Sequence, residues 1–343
     1  MGSLILLFTA AAVVLLTTAM LFTAGWSHPP VHGVQSGYRG LALDQLSTPA
    51  SERLVKLANI LPDPIDKASP DGDKATSVYK NIKVLDDLSI DQFNRVMLGL
   101  AAWVAPKDQS CSYCHSVENM ADDSLYTKRV ARVMLKMTRH INKEWQPHVG
   151  AVGVTCYTCH RGQPVPTNIW FMAAPAGAGG FATNNDGLGH PTAINRSTGL
   201  SADPFSGYLD VEGVAGARVQ ATHALPVGYG ATIQQTEKTY SLMVSVSTSL
   251  GVNCTFCHNS RAFGQWPESA PQRVTAWHGI QMTRDLNVHF LEPLQSEWPA
   301  NRLGTIGDGP KVFCATCHQG APKPLLGVSL AKDWPELGGS DAY

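Results

Sequence analysis

The sequence predicts a mainly α-helical body with little β structure, built from two similar halves and preceded by one membrane-crossing helix. Three observations carry that prediction. Residues 4–24 form an uncharged apolar run, and all eight cysteines fall into one repeated motif. Two similar stretches bearing that motif flank a long linker rich in Gly and Pro.

Composition narrows the class. The 343 residues carry a formal net charge of −1 and are 44% hydrophobic, so nothing in the balance attracts nucleic acid. Gly (31) and Pro (22) are plentiful, while charged residues make up only 15%. Such a chain is rich in loops, and a loop-rich fold needs more than a continuous side-chain core to hold it.

The cysteines supply the missing element. They occur as Cys111-Ser-Tyr-Cys114-His115, Cys156-Tyr-Thr-Cys159-His160, Cys254-Thr-Phe-Cys257-His258 and Cys314-Ala-Thr-Cys317-His318. C-x-x-C-H is the attachment signature of haem c. Two thiols add to the two porphyrin vinyl groups, and the adjacent His gives its imidazole to the iron as proximal ligand. A zinc half-site or a redox dithiol explains C-x-x-C, but gives no reason for a His after it in all four copies. A disulfide framework fails on the same point. The sequence therefore predicts four covalent haems c, and a fold organised by haems as much as by side-chain packing. No cysteine remains for a structural disulfide or for lipidation of the N-terminus.

About 20 apolar residues span a bilayer as a helix. A cleaved signal peptide normally has a shorter apolar stretch with Lys or Arg ahead of it, whereas only Met-Gly-Ser precedes this one. The expectation is an uncleaved anchor over residues 1–25 and a cytochrome body over residues 26–343. Haem c is attached outside the bacterial inner membrane, so the body is expected on the periplasmic side.

The motifs come in two pairs, at about residues 75–166 and about residues 232–325, separated by a linker over about residues 168–226. Arg132-Val-Met-Leu-Lys-Met-Thr-Arg-His-Ile-Asn142 resembles Trp277-His-Gly-Ile-Gln-Met-Thr-Arg-Asp-Leu-Asn287, and Cys-His-Arg-Gly-Gln-Pro resembles Cys-His-Gln-Gly-Ala-Pro. An internal duplication follows, with a local pseudo-twofold between halves. The linker's turn residues exclude a long helix and suggest packing over the haems with a small hairpin.

A helix is readable ahead of each motif. Ser89-Ile-Asp-Gln92 has the form of a capping box, and Pro106 lies beyond the stop. Val130, Val133, Met134, Met137 and Ile141 share one face of the second helix. The third runs over about residues 236–250, and the fourth from near Pro271 to about His289. The recurring unit is helix, turn, haem motif.

Whether each iron has a sixth ligand separates electron transfer from small-molecule activation. Met97, Met134 and Met243 precede motifs one, two and three by 14, 22 and 11 residues, inside predicted helices. Core packing is the commoner role of such a Met. Met137 shares a face with Met134, and the choice between them stays open. In the internal alignment Met137 matches Met282, while Met134 matches Gly279. The fourth haem thus lacks a methionine there, and takes a ligand from elsewhere or stays open. The remaining histidines are His28, His32, His140, His148, His190, His223, His278 and His289.

These features resemble the tetrahaem cytochrome subunit of purple-bacterial photosynthetic reaction centres. The resemblance extends over everything after about residue 31. It rests on Val34-Gln-Ser-Gly-Tyr-Arg-Gly40, Cys159-His-Arg-Gly-Gln-Pro-Val-Pro166, Asn253-Cys-Thr-Phe-Cys-His-Asn259 and Cys314-Ala-Thr-Cys-His-Gln-Gly320. It implies that Met97, Met134 and Met243 ligate haems 1, 2 and 3, and that His148 crosses to haem 4. It also implies that Arg273 stands beside haem 3, the haem nearest the membrane, where it tunes potential or docking. The implied partners are the reaction-centre L and M subunits with their bacteriochlorophyll special pair. A soluble periplasmic donor, either a small c-type cytochrome or a high-potential iron–sulfur protein, is implied as well. Many members carry a lipidated N-terminal Cys that is absent here, a departure that touches attachment alone.

The implied function is electron relay, with no bond made or broken in a substrate. A membrane-anchored multihaem quinol dehydrogenase or reductase is the rival, but the quinol dehydrogenases are much shorter and crowd their motifs toward the N-terminus. Residues 61–123 hold eleven acidic and six basic residues, a balance of −5 around the first motif. That field suits a basic donor, with Asp122 and Asp123 as test positions.

Overall fold

The computed structural model describes residues 2–23, 30–173, 200–201, 203–212 and 233–338. Most of the linker, for which packing over the haems and a small hairpin are expected, lies outside the described residues, as do His28, His190 and His223.

Helix α1, Gly2–Thr23, has a mean hydropathy of 2.5 and no buried residue. Its 22 residues span about 33 Å at 1.5 Å per residue, enough for a hydrocarbon core. Its threonines return their hydroxyls to the helix: Thr9, Thr17, Thr18 and Thr23 donate to the carbonyls of Ile5, Val13, Val14 and Ala19. The polar oxygens are thereby satisfied within the segment, as an apolar surrounding requires.

The body is mainly helical, and the one sheet among the described residues is a hairpin. Strands β1 (His32–Ser36) and β2 (Leu43–Ser47) pair antiparallel with His32 opposite Ser47. Sequence reasoning did not foresee this hairpin, because its strands lie largely exposed on both faces and lack apolar alternation. It clips onto the third motif instead. Leu43 N–H donates to Thr255 Oγ1 at 2.9 Å, and Asn253 Nδ2 to Leu43 O at 2.9 Å. At Gly37, φ is +121° and a Cβ would stand 2.5 Å from Thr255 O, so only glycine fits the turn. Helix α2, Pro49–Ala58, was also unforeseen. Its signals were present: Thr48 as N-cap, Pro49 at the first position and Glu52 in the first turn.

The four expected helices form. In α3 (Ile90–Trp103), Gln92 N–H donates to Ser89 Oγ at 3.2 Å and Ser89 N–H to Gln92 Oε1 at 3.3 Å, the predicted box. Helix α4 spans Tyr126–Glu144, a short turn α5 spans Gln146–Val149, and the second motif is itself a short helix α6, Cys156–His160. Helix α7, Ile233–Leu250, ends at Gly251 with φ +66°. A Cβ there would stand 2.2 Å from Gly320 O, so glycine permits the helix end to abut the tail of the fourth motif. Helix α8, Gln272–Asp285, continues as a π-wound turn over Leu286–Leu291, and the fourth motif forms α9, Cys314–His318.

Among the described residues, side-chain packing is divided among three small clusters. The largest joins α3, α4 and α6 to the C-terminal segment through Val96, Trp103, Leu135, Cys156, Trp334 and Leu337. Arg95 and Glu336, 4% and 1% exposed, pair at 3.0 Å in that seam, with the guanidinium over Trp334 at 3.7 Å.

Candidate functional site

The four motifs adopt two local geometries that alternate along the chain. Motifs one and three are 3₁₀ turns, Ser110–Tyr113 and Cys254–Phe256. Their histidines donate from Nδ1 to the carbonyl five residues on: His115 to Met120 at 2.9 Å, His258 to Phe263 at 3.0 Å. Motifs two and four are the α-turns α6 and α9, and reach three residues on: His160 to Gln163 at 2.9 Å, His318 to Ala321 at 3.0 Å. The shorter reach needs a left-handed step after each His, at Arg161 (φ +53°) and Gln319 (φ +48°), followed by Gly162 and Gly320 near +80°. For a non-glycine residue that step costs about 1–2 kcal/mol. In all four cases a carbonyl fixes the tautomer and leaves the Nε2 lone pair uncommitted, an arrangement that suits a metal-binding His.

The internal repeat reappears as matched atoms. Asn142 exchanges two bonds with the backbone of Val154, two residues before Cys156, at 2.9 and 2.7 Å. Asn287 does the same with Val312, two residues before Cys314, at 3.0 and 2.8 Å. Each buried amide pins the upstream helix to its motif. Thr138 and Thr283 likewise bond back to the carbonyls of Met134 and Gly279, at 2.9 and 2.8 Å. The two asparagines end the aligned stretches, so identity at matched positions was the signal that could have singled them out.

These elements enclose an apolar cavity of about 880 Å³, far larger than the voids close packing leaves and of the size of a cofactor site. Its lining brings together Cys156, Cys159, His160, Cys314, Cys317 and His318 with Met134, Met137 and His148, while the first and third motifs contribute Cys114 and Cys257. Cys159 and Cys317 lie side by side where α6 packs against α9, so motifs two and four touch. None of the eight cysteines is in a disulfide.

His148 enters from the first half and lies across the second. Its Nδ1 donates to Thr275 O on α8 at 2.9 Å, and its ring rests on Gly279, where a Cβ would stand 2.5 Å from Cε1. Its centroid is 6.1 Å from that of His318. Both rings line the same cavity.

Met97 and Met243 lie half-buried on α3 and α7, against the Trp103 and the Trp170–Phe205 clusters, and neither lines the central cavity. Met137 and Met282, the aligned pair, pack against one shared cluster with Ile141 and Leu286. Arg273 stacks over Trp266 at 4.0 Å, and its charge acts on Cys257 and His258 of the third motif. His32 pairs with Glu52, His140 and His289 with Asp285, and His278 lies edge-on to Trp277.

Burial, with His148 nearby, pushes His318 down to about 4, and burial lowers His148, His160 and His258 as well. Neutral imidazole is the form that binds metal. Burial raises the Cys156 and Cys257 thiols to about 11 and Cys314 to about 12. Among the described residues, the buried donors Trp103 Nε1, Trp298 Nε1, and Arg161 Nε and Nη1 have no hydrogen-bond partner.

Four motif turns with carbonyl-held imidazoles, two of them (His160 and His318) lining an apolar cavity, in a helical body behind an apolar helix, fit a membrane-associated c-type cytochrome. Residues 27–338 match the sequence model of the family described as photosynthetic reaction centre cytochrome C subunit, and the chain belongs to that family. The photosynthetic reaction center cytochrome c subunit of Rubrivivax gelatinosus is 48% identical over 324 residues, covering 93% of this chain and 87% of that one. That of Thermochromatium tepidum is 41% identical over 330 residues, covering 96% and 80%, and that of Roseobacter denitrificans 44% over 281 residues, covering 78% and 74%.

Proposed function

We propose that this subunit carries four haems c and relays electrons from a soluble periplasmic carrier to the photo-oxidised special pair held by the L and M subunits. Bound haem c supplies one-electron oxidation and reduction at iron. The chain does the rest. The eight motif cysteines attach the groups, and His115, His160, His258 and His318 serve as proximal ligands. Met97, Met134 and Met243 complete three irons, and His148 completes the fourth. The shared packing of Met137 with Met282 supports Met134 as the ligand of its pair. Arg273 sets the charge beside the third haem. The body lies on the periplasmic side, with the two motif-bearing halves related by a local pseudo-twofold.

The observation that carries this reading is the set of five imidazoles, including His148, whose Nδ1 atoms are all committed to backbone carbonyls. Intact-mass analysis should show four haem additions. Near-infrared spectra should show Met-type absorption from three haems and bis-His ligation at one. His148→Met should raise the potential of that one haem, since a thioether favours the reduced state relative to a second His. Met-type absorption from all four haems of the wild type would exclude His148 as a ligand.

A further inference from the structure

We infer that Asp285 is a positioning residue for His148, holding the turn that delivers this imidazole onto Gly279. Asp285 is the last residue of α8, and its carboxylate accepts three side-chain donors. Oδ2 takes His140 Nε2 and Trp145 Nε1, each at 2.7 Å, and Oδ1 takes His289 Nδ1 at 2.8 Å. His140 and Trp145 belong to the first half of the molecule and Asp285 to the second, so one carboxylate ties the halves together.

Trp145 is the junction between α4 and α5. Its carbonyl accepts the N–H groups of His148 at 2.9 Å and Val149 at 3.0 Å, so the turn hangs from the residue whose indole Asp285 holds. The four-residue α5 has no side-chain cap and cannot hold its own direction. Direction comes from α8 at two points: Asp285 grips Trp145, and Thr275, ten residues earlier, grips His148 Nδ1. These two points lie about 15 Å apart along one helix and bracket Gly279. Glu212 joins the cluster through His289 Nε2 at 2.7 Å, and Glu144 and Arg284 line the same surface pocket. Burial alone would raise the Asp285 carboxyl, but the bonds from His140 and Trp145 outweigh it and hold the group ionised. A charged acceptor makes the grip on the indole stronger than a neutral one.

The inference rests on His148 being the distal ligand of the fourth haem, so the experiment tests both. In the membrane complex with its full haem complement, Trp145→Phe, Asp285→Asn, Asp285→Ala and His148→Ala are compared with wild type. The readouts are carbon monoxide binding to the reduced haems and the four resolved midpoint potentials. His148→Ala should open one haem to carbon monoxide. Trp145→Phe and Asp285→Ala should increase ligand exchange at that same haem about 10- to 100-fold, the usual cost of losing an outer partner, with the other three unmoved. Asp285→Asn, which keeps an acceptor for the indole, should fall between. If His148→Ala opens the haem while Trp145→Phe and Asp285→Ala leave its exchange and potential at wild-type values, the positioning role is wrong and the ligand assignment stands. If His148→Ala opens no haem, the ligand assignment fails and takes the inference with it. Should Asp285→Ala fail to assemble, Trp145→Phe decides on the same criterion.

Discussion

At Gly279 the imidazole of His148 fills the space a side chain would take, with a Cβ 2.5 Å from Cε1 and 2.8 Å from Nδ1. The helix has no side chain at this point, and the gap admits an imidazole from the other half of the chain. Gly279→Ala should therefore push the ring back from its position opposite His318. Overpacking of this kind costs about 1–3 kcal/mol, visible in thermal unfolding. It should also weaken low-spin ligation at a single haem. An alanine variant with unchanged stability and spectrum would mean that the ring does not need the gap. Residues like this were partly legible. The cysteines and motif histidines declare themselves by spacing, and the vacancy at Gly279 showed once the halves were aligned. What spacing could not give was direction: that His148 turns toward α8, or that Asn142 and Asn287 spend both amide atoms on the backbone before a motif. Those facts belong to contacts between segments far apart in sequence.

Elements whose signals are local were read correctly, except α2, whose cap at Thr48 was overlooked, and those fixed by distant partners were not. The box at Ser89 and the apolar stripe of α4 depend on neighbours within two turns. The hairpin at 32–47 depends on Thr255 and Asn253, more than 200 residues away, and its own strands carry no pattern. The C-terminal segment is of the same kind. It is pinned by Arg95 to Glu336, by Arg139 to the Glu336 carbonyl at 2.8 Å, and by Asn142 to the Leu337 carbonyl at 2.9 Å. Glu336→Ala leaves a guanidinium buried without its carboxylate, a change that costs about 3–5 kcal/mol. Chemical denaturation should show that loss, and a variant within about 0.5 kcal/mol of wild type would show the seam to be incidental. The turn after α8 adds a pH signature. Burial alone would lower His289, but Asp285 and Glu212 outweigh it and raise its pKa above the ordinary 6.5. Asp285 sits below its ordinary 3.8. The His289 contribution is thus complete below pH 6.5 and is lost as pH rises through the folded value. The Asp285 contribution is present above pH 3.8 and is lost as pH falls through its folded value. The stability gap between wild type and His289→Gln should accordingly narrow from pH 6 to pH 9. A gap that widens over that range would contradict the assignment.

For the whole molecule, folding redistributes the charge that sequence counting placed around the first motif. Asp87 is spent on Arg139 at 2.9 Å, and Asp123 on Arg132 at 2.7 Å and Lys128 at 3.3 Å. The Arg132 bond and its companions hold the Asp123 carboxyl far below the usual range, so this residue braces a loop and is not free for a partner. Asp108, Glu118 and Asp122 remain exposed on either side of the motif, with Val117 80% exposed and Met120 55% exposed among them. A donor could be drawn by the three carboxylates or seated on the apolar pair, and the two modes differ in kinetics. Electrostatic steering acts on encounter and fades as salt shortens the Debye length, whereas apolar seating is indifferent to salt. With a basic donor, the second-order re-reduction rate should fall as ionic strength rises. Joint replacement Asp108→Asn, Glu118→Gln and Asp122→Asn should lower the low-salt rate by roughly tenfold, within the range steering provides. Asp123→Asn should instead leave the rate unchanged and lower stability, because its partners are internal. Flash-induced oxidation followed by re-reduction across a salt series measures all of these. If neither salt nor the triple substitution alters the rate while Val117→Ser does, the donor seats on the apolar pair, and the relay proceeds without electrostatic steering.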